Sequence, residues 1–106
     1  MSADRDEIFS SVPSVLQPLL PEVCIALREL LSTTGEALGR GDLEGARLAA
    51  HALKGASMHF GLTTLSLAAA EIEQDVEEEG GGSESEAVRA GLTRFASLLA
   101  ALEAVL

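Results

Sequence analysis

The sequence predicts an all-α domain, an antiparallel four-helix bundle with a short extra N-terminal helix. Apolar residues make up 47% of the 106 residues, and the chain contains three Phe but neither Trp nor Tyr. Its abundant Leu, Ala and Glu form helices readily, whereas the β-branched and aromatic residues that strands prefer are scarce. Apolar residues also recur three and four positions apart in four stretches, as in helices buried on one face. The length fits a single domain over residues 1–106.

The first part of the chain predicts a short helix, a break and then a long helix. Residues 4–11 have an amphipathic pattern and predict the extra N-terminal helix. Pro13, Pro18 and Pro21 follow; because proline suits a first turn but not a helix interior, we expect a broken segment at 13–20 and a long helix from about Pro21. The apolar face of that helix comprises Val23, Leu27, Leu30, Thr34 and Ala37.

The second long helix, at about residues 42–60, has clear signals at both ends. It follows the sequence Gly39-Arg40-Gly41, which ends the preceding helix. Asp42 is a residue type that caps helix N-termini, and Gly61 suits the position just past a helix C-terminus. Its apolar face comprises Leu43, Ala46, Ala50, Leu53, Ser57 and Phe60.

Two further helices are predicted on either side of an acidic loop. The third begins near Thr63 or Thr64, and residues 77–86, EEEGGGSESE, predict a flexible loop because they are rich in glycine and charge. Four helices with short connections pack most simply as an antiparallel bundle. The apolar faces are Leu65, Ala69, Ile72 and Val76 in the third helix, and Val88, Leu92, Phe95, Leu99, Leu102 and Leu106 in the fourth.

Charge and cysteine content exclude several classes of function. The formal net charge of −10 argues against nucleic acid and anionic membranes as partners, since both are bound by clustered Lys and Arg. Cys24 is the only cysteine and lies in an apolar run, so we expect a buried thiol and no intrachain disulfide. The acidic N-terminus and the lack of a membrane-spanning apolar run favour a cytoplasmic protein, which we expect to be a monomer.

Residues 50–61, AHALKGASMHFG, hold both histidines and a glycine within the second helix. At about 100° per residue, His51 lies about 130° from the centre of the apolar face, so it is expected to face solvent. A neutral imidazole is a competent nucleophile near neutral pH. Lys54, on the same side, is a cation suited to the oxygens of a phosphoryl group on His51. That side also carries Glu44, Arg47, Leu48, Gly55, Met58 and His59.

Each of these residues also has an ordinary structural interpretation. Glycine inside a helix costs about 1 kcal/mol relative to alanine, so Gly55 indicates either a close helix contact or a bare backbone that gives a partner access to His51. His51 and Lys54 are otherwise plain surface residues. Met58 and Leu48 suit peripheral packing as well as transient docking. A zinc site is disfavoured because no ligand spacing includes both histidines.

The run from His51 to Gly61 resembles the signature of histidine-containing phosphotransfer (HPt) domains, H-x-L-K-G followed after five residues by G. The matching residues are Ala50, His51, Leu53, Lys54, Gly55 and Gly61, and the resemblance continues through Leu62, Leu65, Ile72 and Glu73. Residues 1–40 match only as helices. The resemblance implies a four-helix bundle whose His51 carries a phosphoryl group. It also implies that Glu73 hydrogen-bonds His51, and the pattern agrees, because Ile72 faces the bundle and leaves Glu73 at the edge of the seam.

The function implied is that of a phosphocarrier and not of an enzyme. His51 would exchange phosphate with the aspartate of receiver domains in response regulators or hybrid histidine kinases. No Walker A or kinase glycine loop is present, and the densest acidic cluster lies in a flexible stretch, so we expect no ATP and no metal on this chain and Mg²⁺ on the receiver. Receiver docking is assigned to Arg47, Leu48, Met58, His59 and Leu62.

Two alternatives remain open from the sequence. One is the phosphotransfer module of a chemotaxis-type histidine kinase, which Phe60-Gly61-Leu62 favours slightly but which requires the chain to be a piece of a longer protein. The other is a helical adaptor that is never phosphorylated, in which His51 is incidental and Leu48, Met58 and Leu62 form the docking surface.

Overall fold

The computed structural model describes residues 12–79 and 86–106, so the helix expected at 4–11 lies outside the described residues. A 3₁₀ turn at Gln17–Leu19 precedes four α-helices. These are α1 (Leu20–Gly39), α2 (Leu43–His59), α3 (Thr63–Glu79) and α4 (Glu86–Glu103). Each helix packs on the next, and α1 packs on α4, which closes the bundle. The prediction of an all-α four-helix fold is confirmed. None of the described helices is long and apolar enough to cross a membrane.

The turns that flank α2 follow from a few residues with special backbone or capping properties. Gly41 and Gly61 have φ angles of +75° and +74°, which side chains with a Cβ rarely adopt. The Asp42 carboxylate accepts a hydrogen bond from the backbone N–H of Gly45 at 2.9 Å and so caps the first turn of α2. These turns let α2 reverse direction relative to α1 and α3 within three residues at each end.

The core is formed by the apolar faces that the periodicity predicts. Among the described residues, Phe95 is the largest side chain that is fully buried, and it contributes to a continuous cluster together with leucines from all four helices and the α2–α3 turn. Tight packing of this kind fixes the rotation of each helix about its axis. The fully buried large residues also include Leu20, Leu27, Leu53, Leu62, Leu65, Ile72, Val88, Leu99 and Leu102.

Cys24 is only 3% exposed, which confirms the expected burial of this thiol. Burial, reinforced by the negative charge of Glu103, raises the pKa of Cys24 to about 11, so the group stays a protonated thiol at neutral pH. Glu103 itself accepts two hydrogen bonds from the Arg28 guanidinium, at 2.6 and 3.1 Å, and this pair ties α1 to α4.

Two boundaries differ from the sequence prediction. The acidic loop was expected at 77–86, but residues 77–79 continue α3 and Glu86 begins α4; residues 80–85 lie outside the described part. Val76 is 3% exposed and anchors the last turns of α3, where Gln74 also donates a hydrogen bond to Glu78 at 2.8 Å. The expected place of Leu106 in the buried face of α4 is wrong, because α4 ends at Glu103 and Leu106 is 49% exposed.

Ser57 lies on the buried face of α2 and has an energetic cost that can be measured. Its side chain is fully buried, and its hydroxyl oxygen has no hydrogen-bond partner within the described ranges. Leaving such a group unsatisfied costs roughly 1–3 kcal/mol. We therefore expect Ser57→Ala to raise the free energy of unfolding, measured by urea denaturation, by about 1 kcal/mol.

The matched control is Ser97→Ala, at an exposed position inside α4, which reports the change in helix propensity alone. A stability gain in Ser57→Ala no larger than that in Ser97→Ala would contradict an unsatisfied hydroxyl at Ser57.

Candidate functional site

His51 projects from the middle of α2 into solvent. Its side chain is 61% exposed, whereas Ala50 and Leu53 on the same helix are fully buried. These two core residues fix the rotation of α2, and a step of about 100° from Ala50 carries His51 out of the core. The imidazole is therefore accessible, as the helical pattern predicts, and it stands on a helix whose orientation is set by packing.

Glu73 of α3 reaches His51 across the seam between α2 and α3. Its Oε2 lies 3.0 Å from Nδ1 of His51, and its side chain is 13% exposed. A carboxylate only accepts hydrogen bonds, so Nδ1 carries the hydrogen and the lone pair of the neutral ring is on Nε2. No partner of Nε2 is found in residues 12–79 and 86–106. The contact expected from the sequence is present, and it leaves Nε2 free as a nucleophile.

Lys54 shares the same carboxylate. Its Nζ lies 3.3 Å from Oε1 of Glu73, and its side chain is 32% exposed. The sequence indicated Lys54 as a cation for His51 but gave no sign that Glu73 pairs with it. The backbone carbonyl of Lys54 also accepts a hydrogen bond from Ser66 of α3 at 3.4 Å, and Ser66 is 4% exposed. Glu73 and Ser66 of α3 thus hold three polar groups of α2, namely the ring of His51 and the ammonium and backbone carbonyl of Lys54.

Gly55 lies one turn after His51 and is exposed. A Cβ built on it would meet nothing within 4 Å, so the interpretation of Gly55 as a close helix contact is wrong. The glycine instead leaves a stretch of bare backbone beside the imidazole. Within residues 12–79 and 86–106, this bare backbone leaves a partner room to approach the ring over Gly55.

The surroundings of His51 contain most of the other residues that the sequence indicated. Leu48 is 53% exposed and Met58 is 63% exposed, on the solvent side of α2. The exposed ring of His59 packs edge-on against Phe60, with ring centroids 5.0 Å apart and planes at 81°. All three lie on or beside the face that carries the imidazole.

The assignment of Leu62 to a docking surface is wrong, because Leu62 is fully buried. Its backbone N–H donates to the carbonyl of Ser57 at 2.9 Å in the turn that follows α2. This turn directs the Leu62 side chain into the core instead of toward a partner.

Arg47 precedes His51 by one turn and is held by Glu44 of the same helix. Nε and Nη2 of Arg47 lie 3.1 and 2.9 Å from the two carboxylate oxygens of Glu44. These hydrogen bonds raise the pKa of Arg47 and lower the pKa of Glu44, and Glu77 and Glu73 add weaker attraction to Arg47. Arg47 and Lys54 therefore place two cations beside His51 in a chain with seven Lys and Arg against 17 Asp and Glu.

The arrangement suits the transfer of an anionic group to and from Nε2. An exposed nitrogen lone pair, a carboxylate that orients the ring and a nearby ammonium are the parts of an activated nucleophile. Among the described residues, no group of three or more His, Cys, Asp or Glu is placed to hold a metal ion. The expectation that this chain binds no metal stays a prediction.

A comparison with known protein families gave a match over most of the chain. The family described as "Hpt domain" matches residues 19–106, which include all four helices. Neither the curated proteins nor the solved structures gave a match.

The His51–Glu73 contact predicts the tautomer of the ring. In the wild type we expect the neutral form of His51 to carry its hydrogen on Nδ1, because Glu73 accepts it. In Glu73→Ala the population moves toward the Nε2–H tautomer that free imidazole side chains favour. Nitrogen-15 chemical shifts of the two histidine rings measure this, with His59 as the internal control. A His51 tautomer that is the same in both proteins would contradict the orienting contact.

Proposed function

The chain belongs to the Hpt domain family, and we propose that it is a histidine phosphocarrier that exchanges a phosphoryl group between His51 and the aspartate of receiver domains. Membership in this family implies histidine phosphotransfer within a phosphorelay. The observation that carries the assignment to His51 is the exposed Nε2 of a ring whose Nδ1 lies 3.0 Å from Glu73. Family members of this kind are carriers and not kinases.

The transfer step follows from this geometry. The lone pair of Nε2 attacks the phosphorus of an aspartyl phosphate in line with the bond to the aspartate oxygen. The N–P bond forms as that P–O bond breaks, and the aspartate leaves as a carboxylate with the electron pair. The ring keeps its hydrogen on Nδ1 and becomes a cation, which the negative charge of Glu73 stabilises at hydrogen-bond distance. The reverse step returns the phosphoryl group by the same path.

Lys54 supplies charge to the phosphoryl group once it arrives. Its side chain is 32% exposed and its ammonium is paired with Glu73, and its flexible stem lets it turn from the carboxylate toward new anionic oxygens. As the ring becomes cationic, Glu73 retains a positive partner at Nδ1 when Lys54 moves. In the empty carrier Glu73 thus faces the neutral ring of His51 and the Lys54 ammonium, and in the loaded carrier it faces the cationic ring.

The partner contributes what this chain lacks. We assign the aspartate and the Mg²⁺ to the receiver domain, where the metal supplies charge neutralisation for the transferring group. This chain, acting as a monomer in the cytoplasm without bound ATP or metal, contributes His51 and Lys54. Leu48 and Met58 supply apolar contact area on the same face, both more than half exposed, and Gly55, Arg47 and His59 complete the docking surface.

Phosphorylation at His51 is tested by substitution of each histidine in turn. We expect His51→Gln to keep the helical circular-dichroism spectrum, because the side chain is outside the core, and to abolish labelling by a ³²P-phosphorylated receiver. His59→Gln is the matched control: it keeps the proposed phosphoacceptor and should reach the same final extent of labelling as the wild type, whatever the rate at which the receiver docks. Labelling that persists in His51→Gln, or that is lost only in His59→Gln, would refute the assignment.

The charge of Lys54 is tested by the rate of transfer. We expect Lys54→Ala to accept phosphate from a receiver about tenfold more slowly. This effect is smaller than the hundredfold or more that follows removal of a fully buried oxyanion donor, because water partly screens the ammonium. Arg94→Ala removes the same charge from the α3–α4 seam and should transfer at the wild-type rate. Rapid-quench measurement of phosphohistidine gives both rates, and equal rates in the two variants would show that Lys54 takes no part.

A further inference from the structure

The ion pair between Glu44 and Arg47 lies on the face of α2 that a partner of His51 must cover. Both residues are on the solvent side of the helix, with side chains 68% and 32% exposed. Arg47 precedes His51 by four residues, which is just over one turn or about 6 Å along the axis. Its guanidinium is thus close enough to take part in any complex formed over the imidazole.

We propose that Arg47 leaves Glu44 on docking to bind a carboxylate of the receiver, and that Glu44 is a built-in competitor which weakens this docking. The inference rests on the proposed function, since it assumes a receiver whose aspartate approaches His51. It makes Arg47, about one turn from His51, a residue that determines which receivers bind. It makes Glu44 a residue that limits the affinity of that binding.

The exchange is energetically easy because the existing pair is exposed. Surface ion pairs contribute little to stability, since water solvates both separated partners well. The fork of an arginine binds carboxylates with two parallel hydrogen bonds, as it does here with both oxygens of Glu44. A receiver carboxylate offering the same geometry in a partly dry interface would attract Arg47 more strongly than Glu44 does in water, and this attraction offsets the cost of removing water from both groups.

Charge complementarity favours an acidic partner surface over α2 instead of α3. The chain has a net charge of −10, which repels acidic proteins at long range. Arg47 and Lys54 flank His51 on α2, whereas the neighbouring turns of α3 present Glu77 and Glu78, both exposed. The approach that brings an aspartate to His51 with the least repulsion therefore passes over Arg47.

The test is a double-mutant cycle on receiver-to-carrier transfer, with KM and kcat measured for the wild type, Arg47→Gln, Glu44→Gln and the double variant. We expect Arg47→Gln to raise KM about fivefold with little change in kcat, and Glu44→Gln to lower KM about twofold, as suits contacts near an interface rim. In the double variant Glu44→Gln should no longer lower KM, because position 47 then carries no arginine for Glu44 to hold away from the receiver.

The matched controls are Arg94→Gln and Glu71→Gln, which make the same charge changes in another exposed pair, 2.8 Å apart between α4 and α3. Both should leave KM close to that of the wild type. An unchanged KM in Arg47→Gln, or a Glu44→Gln effect of equal size with and without Arg47, would overturn the inference while labelling of wild-type His51 still supports the carrier function. Failure of every receiver to label wild-type His51 would overturn both.

Discussion

The apolar seam between α2 and α3 is the constraint on which the site depends. Leu53 and Ile72 are fully buried, and each is followed directly in sequence by a charged residue of the site. Because a helix advances about 100° per residue, fixing Leu53 in the core places Lys54 at the edge of the seam, and fixing Ile72 does the same for Glu73. His51 follows the buried Ala50 in the same way. The positions of the polar groups are therefore a consequence of hydrophobic packing.

Much of this arrangement was predictable because it depends on short-range periodicity. The apolar face of α2 indicated that His51 faces solvent. Asp42 indicated the start of that helix, because N-capping depends on local sequence and not on tertiary contacts. The place of Glu73 at the seam also followed from Ile72, but only the resemblance to a known family suggested that it contacts His51. The four-helix fold was predicted for the same reason, since each apolar face needs a neighbouring helix to cover it.

The features that the sequence did not predict depend on how the helices pack against one another and on the geometry of the turns between them. The pairing of Lys54 with Glu73 requires the axial register of α2 on α3, which periodicity does not specify. The expected surface position of Leu62 is wrong because the turn at Gly61 sets the direction of its side chain. From the sequence alone, an apolar residue just after the His51 helix is equally consistent with the core and with the surface. The end of α3 was placed too early because the acidic composition of 77–79 suggested a loop, whereas the burial of Val76 and the local side-chain hydrogen bond favour another turn of helix.

The exposure of the His51 side chain has a consequence for the proposed phosphocarrier function. A phosphoryl group added to a side chain that is 61% exposed requires no repacking of the described core, so under the proposed function we expect the loaded form to keep the backbone of the empty form. Under the proposed function, a receiver domain would then recognise the phosphoryl group itself, by its charge and chemistry, and not a change in the backbone. Under the same proposal, one surface would bind both the phosphate donor and the phosphate acceptor, and the net direction of transfer would follow from the relative free energies of the phosphorylated partners.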